Sequence, residues 1–180
     1  MATYSTNWKH LGGRIGMQPI SETSTTKKHP LGTVTKAVDL GDITAATNNN
    51  VDGNGEGEFV YALGAASTVI GDWVHFLEDG WTTARTVADA IGKVGIAMSA
   101  NVASSYGWYQ VAGKAVGKVA AAFADNGDVY LTATAGTVDD AIVAGDRVQN
   151  CKGASAIDGP ATGMAEMEMD HPFTNNALAD

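Results

Sequence analysis

The chain has 180 residues, enough for one domain of about 150 residues and a further segment, and its single cysteine, Cys151, excludes an internal disulfide. Hydrophobic residues make up 44% of the sequence, which excludes wholesale disorder, and no apolar run approaches the ~18 residues that a membrane span requires. The net charge of −9 is uneven: residues 1–36 carry five basic groups and one acid, so the acidic remainder is expected to repel nucleic acid and anionic membranes.

Residues 1–36 are predicted to form an extended basic N-terminal arm. Gly12-Gly13, Pro19 and Pro30 interrupt any periodic pattern of apolar residues. A polar segment of this kind is ordered only when something holds it, so we expect the arm to dock on a neighbouring subunit. A segment folded over its own domain is the alternative. The residues expected to bind the partner are Trp8, Lys9, Arg14, Ile15, Met17, Ile20, Lys27, Lys28 and Leu31.

Residues 37–173 are predicted to form a β-rich globular domain, followed by a polar tail at 174–180. Between Asp128 and Thr134 the residues Val129, Leu131 and Ala133 alternate with polar ones, which is the period of a half-buried strand. The same period places Ala165, Met167 and Met169 on one face, towards a core or a partner. Less regular strands are predicted at 58–63, 67–77, 94–99, 107–113, 118–124 and 147–152.

Short strands separated by Gly-rich turns are typical of an all-β fold, which we expect to be a small antiparallel β-barrel or β-sandwich. The pattern allows at most one short helix, at Thr86 to Ile91, ended by Gly92. No internal repeat is visible.

The loop from Asn48 to Glu58 has oxygen-bearing side chains at alternate positions, as in Ca²⁺-binding loops. Asp52, Asn54 and Glu56 occupy the first, third and fifth places of an EF-hand loop, but the twelfth place is Leu63 instead of the bidentate Glu. A solvated hairpin tip explains the same residues better. We therefore expect no metal or other cofactor.

Catalytic signatures are absent from the sequence. The four histidines lie far apart, none has the spacing of a metal-ligand pair, and no GxSxG, Walker or dinucleotide-binding motif occurs. The adjacent acids Asp139-Asp140 are better explained by a turn between Gly136 and Gly145 than by acid/base chemistry. The sequence thus predicts a non-enzymatic protein.

Three aromatic residues lie close together at Tyr106, Trp108 and Tyr109. Such a group can stack a sugar or a base, but more often it anchors a core or an oligomer interface. We expect the second role.

The run Tyr106-Gly-Trp-Tyr-Gln-Val-Ala-Gly-Lys-Ala115, followed by Thr134-Ala-Gly-Thr-Val-Asp-Asp-Ala-Ile-Val-Ala-Gly-Asp146, resembles the capsid decoration (cement) proteins of tailed phages. The resemblance spans roughly residues 57–173, including Gly71-Asp72-Trp73-Val74 and Asp170-His171-Pro172-Phe173, and stops short of the arm. It implies a β-barrel-like domain on the shell surface, often as a homotrimer, that clamps the major capsid protein.

The expected function is therefore that of a virion structural protein on the outer surface of a phage capsid. Synthesis in the host cytoplasm agrees with the absence of paired cysteines, and no signal peptide is recognisable at the first residues. Two alternatives remain: another virion component, such as a head fibre or tail protein, or a ligand- or glycan-binding β-barrel module. A sizeable apolar pocket would favour the latter.

Overall fold

The computed structural model of the protein describes residues 7–12, 16–41 and 54–175. Within these ranges it has no helix, and hence none that could cross a membrane. The predicted all-β fold is confirmed. The strands are β1 (Trp8–His10), β2 (Val34–Asp39), β3 (Gly55–Leu63), β4 (Trp73–Phe76), β5 (Thr83–Arg85), β6 (Gly92–Ala97), β7 (Tyr106–Lys118), β8 (Asp128–Leu131), β9 (Val138–Asp139), β10 (Arg147–Gly153) and β11 (Met164–Thr174).

These strands form one antiparallel sheet. Its hydrogen-bonded order is β1-β2-β3-β7-β6-β11-β10-β8-β9, with β4 paired to β6 and β5 paired to β4. The long strand β7 organises the sheet, because its first part pairs with β3 and its last part with β11. The outermost strands, β1 and β9, do not pair with each other in the described part of the chain. The sheet is therefore open, and the expected closure into a barrel is not observed.

Strand β3 is buried on both faces. Phe59 and Tyr61 point into one hydrophobic cluster, which also contains Trp108 and residues of the N-terminal segment. Val60 and Ala62 point to the opposite face, as the two-residue period of a strand requires, and pack in a second cluster with the β4–β5 hairpin. The two faces of the sheet are thus covered by different parts of the same chain.

A third cluster forms the core of the C-terminal half. The predicted apolar face of β11 lies in it, since Ala165, Met167 and Met169 are buried together with Trp73 of β4 and residues of β6 to β10. Val129 and Leu131 of β8 are fully buried there, as their alternation predicts. Ala133 is exposed, because β8 ends at Leu131 and the chain turns before reaching it.

The N-terminal segment packs on its own domain. Strand β1 pairs with β2, which runs across the predicted boundary at residue 36. The Gln18 side chain is buried: its Oε1 accepts a hydrogen bond from Tyr61 Oη at 3.0 Å, and its Nε2 donates to the Tyr106 carbonyl at 3.1 Å. Within the described residues, the segment therefore makes these contacts with its own chain.

The one short helix that the sequence allows, at residues 86–91, does not form: the segment is a turn, because Ala88 N donates to the Thr132 carbonyl and Asp89 has φ +65°. One local prediction is wrong. The segment 118–124 is not a separate strand, since β7 runs on to Lys118 and a turn follows. The other predicted strands correspond to β3, β4, β6, β7, β8, β10 and β11, with β4 beginning at Trp73 instead of residue 67.

Candidate functional site

The structure separates the residues that we expected to bind a partner into two groups. Trp8 and Ile20 are buried in the chain's own core, with Met17 and Leu31 packed against it. These four cannot also anchor the segment on a neighbour without leaving that core, because they cover the aromatic residues of β3 and β7. Three basic residues remain exposed at the surface: Lys9, Lys27 and Lys28. Arg14 and Ile15 lie outside the described residues.

The three aromatic residues of β7 are core residues. Trp108 and Tyr109 are fully buried on opposite faces of the sheet, and Tyr106 packs beside the first cluster. Burial raises the pKa of Tyr109 to about 12, although its hydroxyl accepts a hydrogen bond from Thr83 Oγ1 at 3.1 Å. Because the rings of Trp108 and Tyr109 are both buried, neither can stack against the ring of a ligand.

The oxygen-rich loop from Asn48 to Glu58, for which we favoured a solvated hairpin tip over a cation site, lies largely outside the described residues. Residues 48–53 lie outside them, and Glu56 belongs to strand β3, where it pairs with Val38. An extended strand cannot curl its side chains around one ion, as an EF-hand loop does. Within residues 7–12, 16–41 and 54–175, no cluster of three or more His, Cys, Asp or Glu residues could hold a metal.

The neighbouring acids Asp139, Asp140 and Asp146 hold loops in place. Asp140 Oδ2 accepts a hydrogen bond from Ala124 N at 3.0 Å, and the buried Asp146 accepts one from Asp89 N at 2.6 Å. Asp139 lies in β9 and not in the expected turn, and its Oδ1 accepts a hydrogen bond from Asp140 N at 2.9 Å. Each carboxylate thus has a separate structural partner, and the three do not converge on one site.

An exposed apolar surface is the feature that the sequence reading missed. The residues Ala141 to Ala144, in the loop between β9 and β10, are all exposed, and Ile142 is 79% exposed. The β5–β6 loop adds Ile91, 59% exposed, and Val87. We call these six residues, Val87, Ile91, Ala141, Ile142, Val143 and Ala144, the loop patch.

The two loops of the loop patch are tied together. The Asp89–Asp146 hydrogen bond joins them, and Asp146 also accepts through its carbonyl from Leu131 N at 2.9 Å. Beside them, Ala88 N donates to Thr132 of the β8–β9 loop at 2.9 Å. The apolar side chains are therefore presented on loops whose backbones are already fixed.

Neither a scan against models of known protein families nor a search of curated protein sequences gave a match. A run of four consecutive exposed apolar residues is uncommon in a soluble domain unless it has a function, and such patches mark interaction sites. The sequence places Ala141 to Ala144 inside the predicted turn between Gly136 and Gly145, and only the structure shows that all four are exposed to solvent.

Proposed function

We propose that this protein is a virion structural protein that decorates the outer surface of a phage shell and stabilises it by binding the major capsid protein. The observation that carries the proposal is the exposed apolar run Ala141 to Ala144. It gives the protein a surface suited to contact with another protein, which is what a shell-binding protein needs. The resemblance to capsid decoration proteins includes this same run, and it supplies the identity of the partner.

The energetics favour binding through the loop patch. Burying an isoleucine side chain stabilises a complex by about 1.5–3 kcal/mol, and Ile142 is almost fully available for it. Because Asp146 already fixes the loops, little conformational entropy is lost on docking. A protein that binds only the assembled shell stabilises that state by mass action. A homotrimer, which the resemblance implies, would bind through three copies of the loop patch, so that contacts that are weak singly give tight binding together.

The acidic charge of this protein restricts which surfaces can bind it. The chain beyond residue 36 carries nineteen acids against six basic groups, and the loop patch lies beside Asp89, which is exposed. A complementary surface therefore presents an apolar patch rimmed by Lys or Arg. The same charge disfavours nucleic acid and anionic membranes as partners.

The test is to remove this protein from particles, add back purified variants and measure both binding and the temperature at which the shell releases its DNA. We expect Ile142→Ser to keep the fold within about 0.5 kcal/mol, since the side chain is exposed. It should weaken binding about tenfold or more, from the lost burial. The matched control is Val102→Ser, which is 63% exposed in the β6–β7 connection and should behave like wild type.

Two results would count against the proposal. Equal heat resistance of bare and decorated shells would show an ornament or adhesin, not a cement. Equal loss of binding in Ile142→Ser and Val102→Ser would show that the loop patch is not the contact.

A further inference from the structure

A second site, separate from the loop patch, lies on the sheet face that packs against the β4–β5 hairpin. It is a pocket of about 320 Å³, a size within the usual range for small-molecule sites. Its walls are mainly apolar and come from six parts of the chain that are distant in sequence. The principal apolar residues are Val60, Phe76, Trp81, Val94, Val111 and Phe173.

Val34 and three titratable residues, Glu58, Lys93 and His171, complete the lining. Glu58 is already neutralised, because His171 Nε2 lies 2.8 Å from its carboxylate and Lys36 Nζ lies 3.9 Å from it. Lys93 is different. Its Nζ lies 5.4 Å from the centroid of the Trp81 ring, and it takes part in no ion pair within the described ranges.

Trp81 is held in position by the backbone around it. It has φ +66°, a conformation that is rare for a bulky residue and that is often found at ligand sites. Its ring packs edge-on against Phe76, with centroids 5.7 Å apart, and lies directly against Gly32 of the N-terminal segment. The indole is thus a pre-formed wall, and the ammonium of Lys93 is placed over it at the edge of an apolar cavity.

We infer that this pocket binds a small amphipathic anion, with an aromatic or short aliphatic body and a single carboxylate or sulfonate. The body would replace water against Phe76, Val111 and their neighbours, and the anionic group would pair with Lys93. Because the other charges at the rim already have partners of opposite sign, Lys93 is the group that selects for negative charge. The inference uses none of the loop-patch residues, and the pocket agrees with the ligand-binding alternative that the sequence leaves open.

The experiment compares two fluorescent probes of similar shape, 1-anilinonaphthalene-8-sulfonate and its uncharged analogue N-phenyl-1-naphthylamine. Each is titrated into the full-length protein. We expect saturable binding of both at one site. Lys93→Met should weaken binding of the sulfonate about tenfold, which corresponds to about 1.4 kcal/mol, and leave the neutral probe within about twofold. Lys93 is exposed, so the substitution should not disturb the fold.

Two control variants test whether the probes bind in this pocket. Lys27→Met removes an exposed lysine that does not line the pocket, and it should change neither affinity. Ile142→Ser should also leave both probes unaffected, which separates this site from the loop patch. The inference is overturned if neither probe saturates, if Lys93→Met weakens both probes equally, or if Ile142→Ser abolishes binding.

Discussion

Oδ1 of Asp72 lies 2.7 Å from Nζ of Lys118, and the Asp72 side chain is completely buried. Its second oxygen lies 2.9 Å from Arg85 Nε and accepts a hydrogen bond from Val69 N. One buried carboxylate thus joins the start of β4 to β5 and to the end of β7. Losing it leaves two partly buried cationic groups, each with 28% of its side chain exposed, without their counter-charge.

We expect Asp72→Asn to lower the free energy of unfolding by about 3–5 kcal/mol, as for other broken buried ion pairs. Urea unfolding followed by circular dichroism measures it. The control is Asp128→Asn, whose carboxylate pairs with Arg147 at 3.1 Å but is 47% exposed, so the loss should stay below about 1 kcal/mol. Similar losses in the two variants would contradict this role of Asp72.

His171 gives a predicted pH dependence of stability. Hydrogen bonds with Asp170 and Glu58, each 2.8 Å, raise the pKa of His171 above its ordinary 6.5. A raised pKa in the folded state adds stability that is complete below 6.5 and is lost as the pH rises through the folded value. Since the side chain is 59% exposed, the effect should be under about 1 kcal/mol.

The variant for this test is His171→Asn, because residue 171 has φ +52° and asparagine tolerates that conformation. We expect the difference in unfolding free energy between wild type and variant to be larger at about pH 5.5 than at about pH 9. Burial lowers the pKa values of His29 and His75, and these two groups therefore reduce stability at low pH. Their effect is the same in wild type and variant, so it cancels in the difference. A difference that does not change with pH would contradict the pairing.

The thiol of Cys151 should be unreactive in the folded protein. Burial raises its pKa to about 12, so almost none of it is thiolate near neutral pH. We expect its reaction with 5,5′-dithiobis(2-nitrobenzoic acid) at about pH 8 to be slower than in urea-unfolded protein by on the order of a hundredfold or more. Equal rates would show that the thiol is open to solvent in the native state.

Gly32 should be intolerant of a side chain. An added Cβ would lie 2.6 Å from Cε2 of the Trp81 ring, and residue 32 has φ +79°. We expect Gly32→Ala to lower the free energy of unfolding by about 1–3 kcal/mol and to shift the tryptophan fluorescence, as the indole is displaced. Gly163→Ala is the matched control, since it has φ +71° with nothing within 4 Å, and it isolates the backbone strain. Equal effects of the two substitutions would argue against the packing of Trp81 on Gly32.

The sequence predicted the fold class because its longer strands carry a clear two-residue period. Residues 164–170 and 128–131 alternate cleanly, and both lie in strands. Strands β1, β5 and β9 have two or three residues each, too few to show a period. Their existence depends on partners elsewhere in the chain, as β1 depends on β2.

The candidate sites were less predictable, for physical reasons. Ala141 to Ala144 has the composition of a buried segment, and only the tertiary structure decides whether it faces solvent. The pocket needs Val60, Trp81 and Phe173 to meet from three distant elements, which no local spacing can show. The packing of the N-terminal segment could not be predicted either. Its Gly and Pro residues interrupt any periodic pattern, so the sequence alone does not show that Trp8 and Ile20 are buried in the core.

Electron cryomicroscopy of a particle that carries this protein tests the central claim most directly. We expect the chain on the outside of the shell, with residues 141–144 within about 4 Å of a major capsid subunit. A decorated particle in which these residues face solvent, or an intact particle without this chain on its surface, would contradict the proposed function.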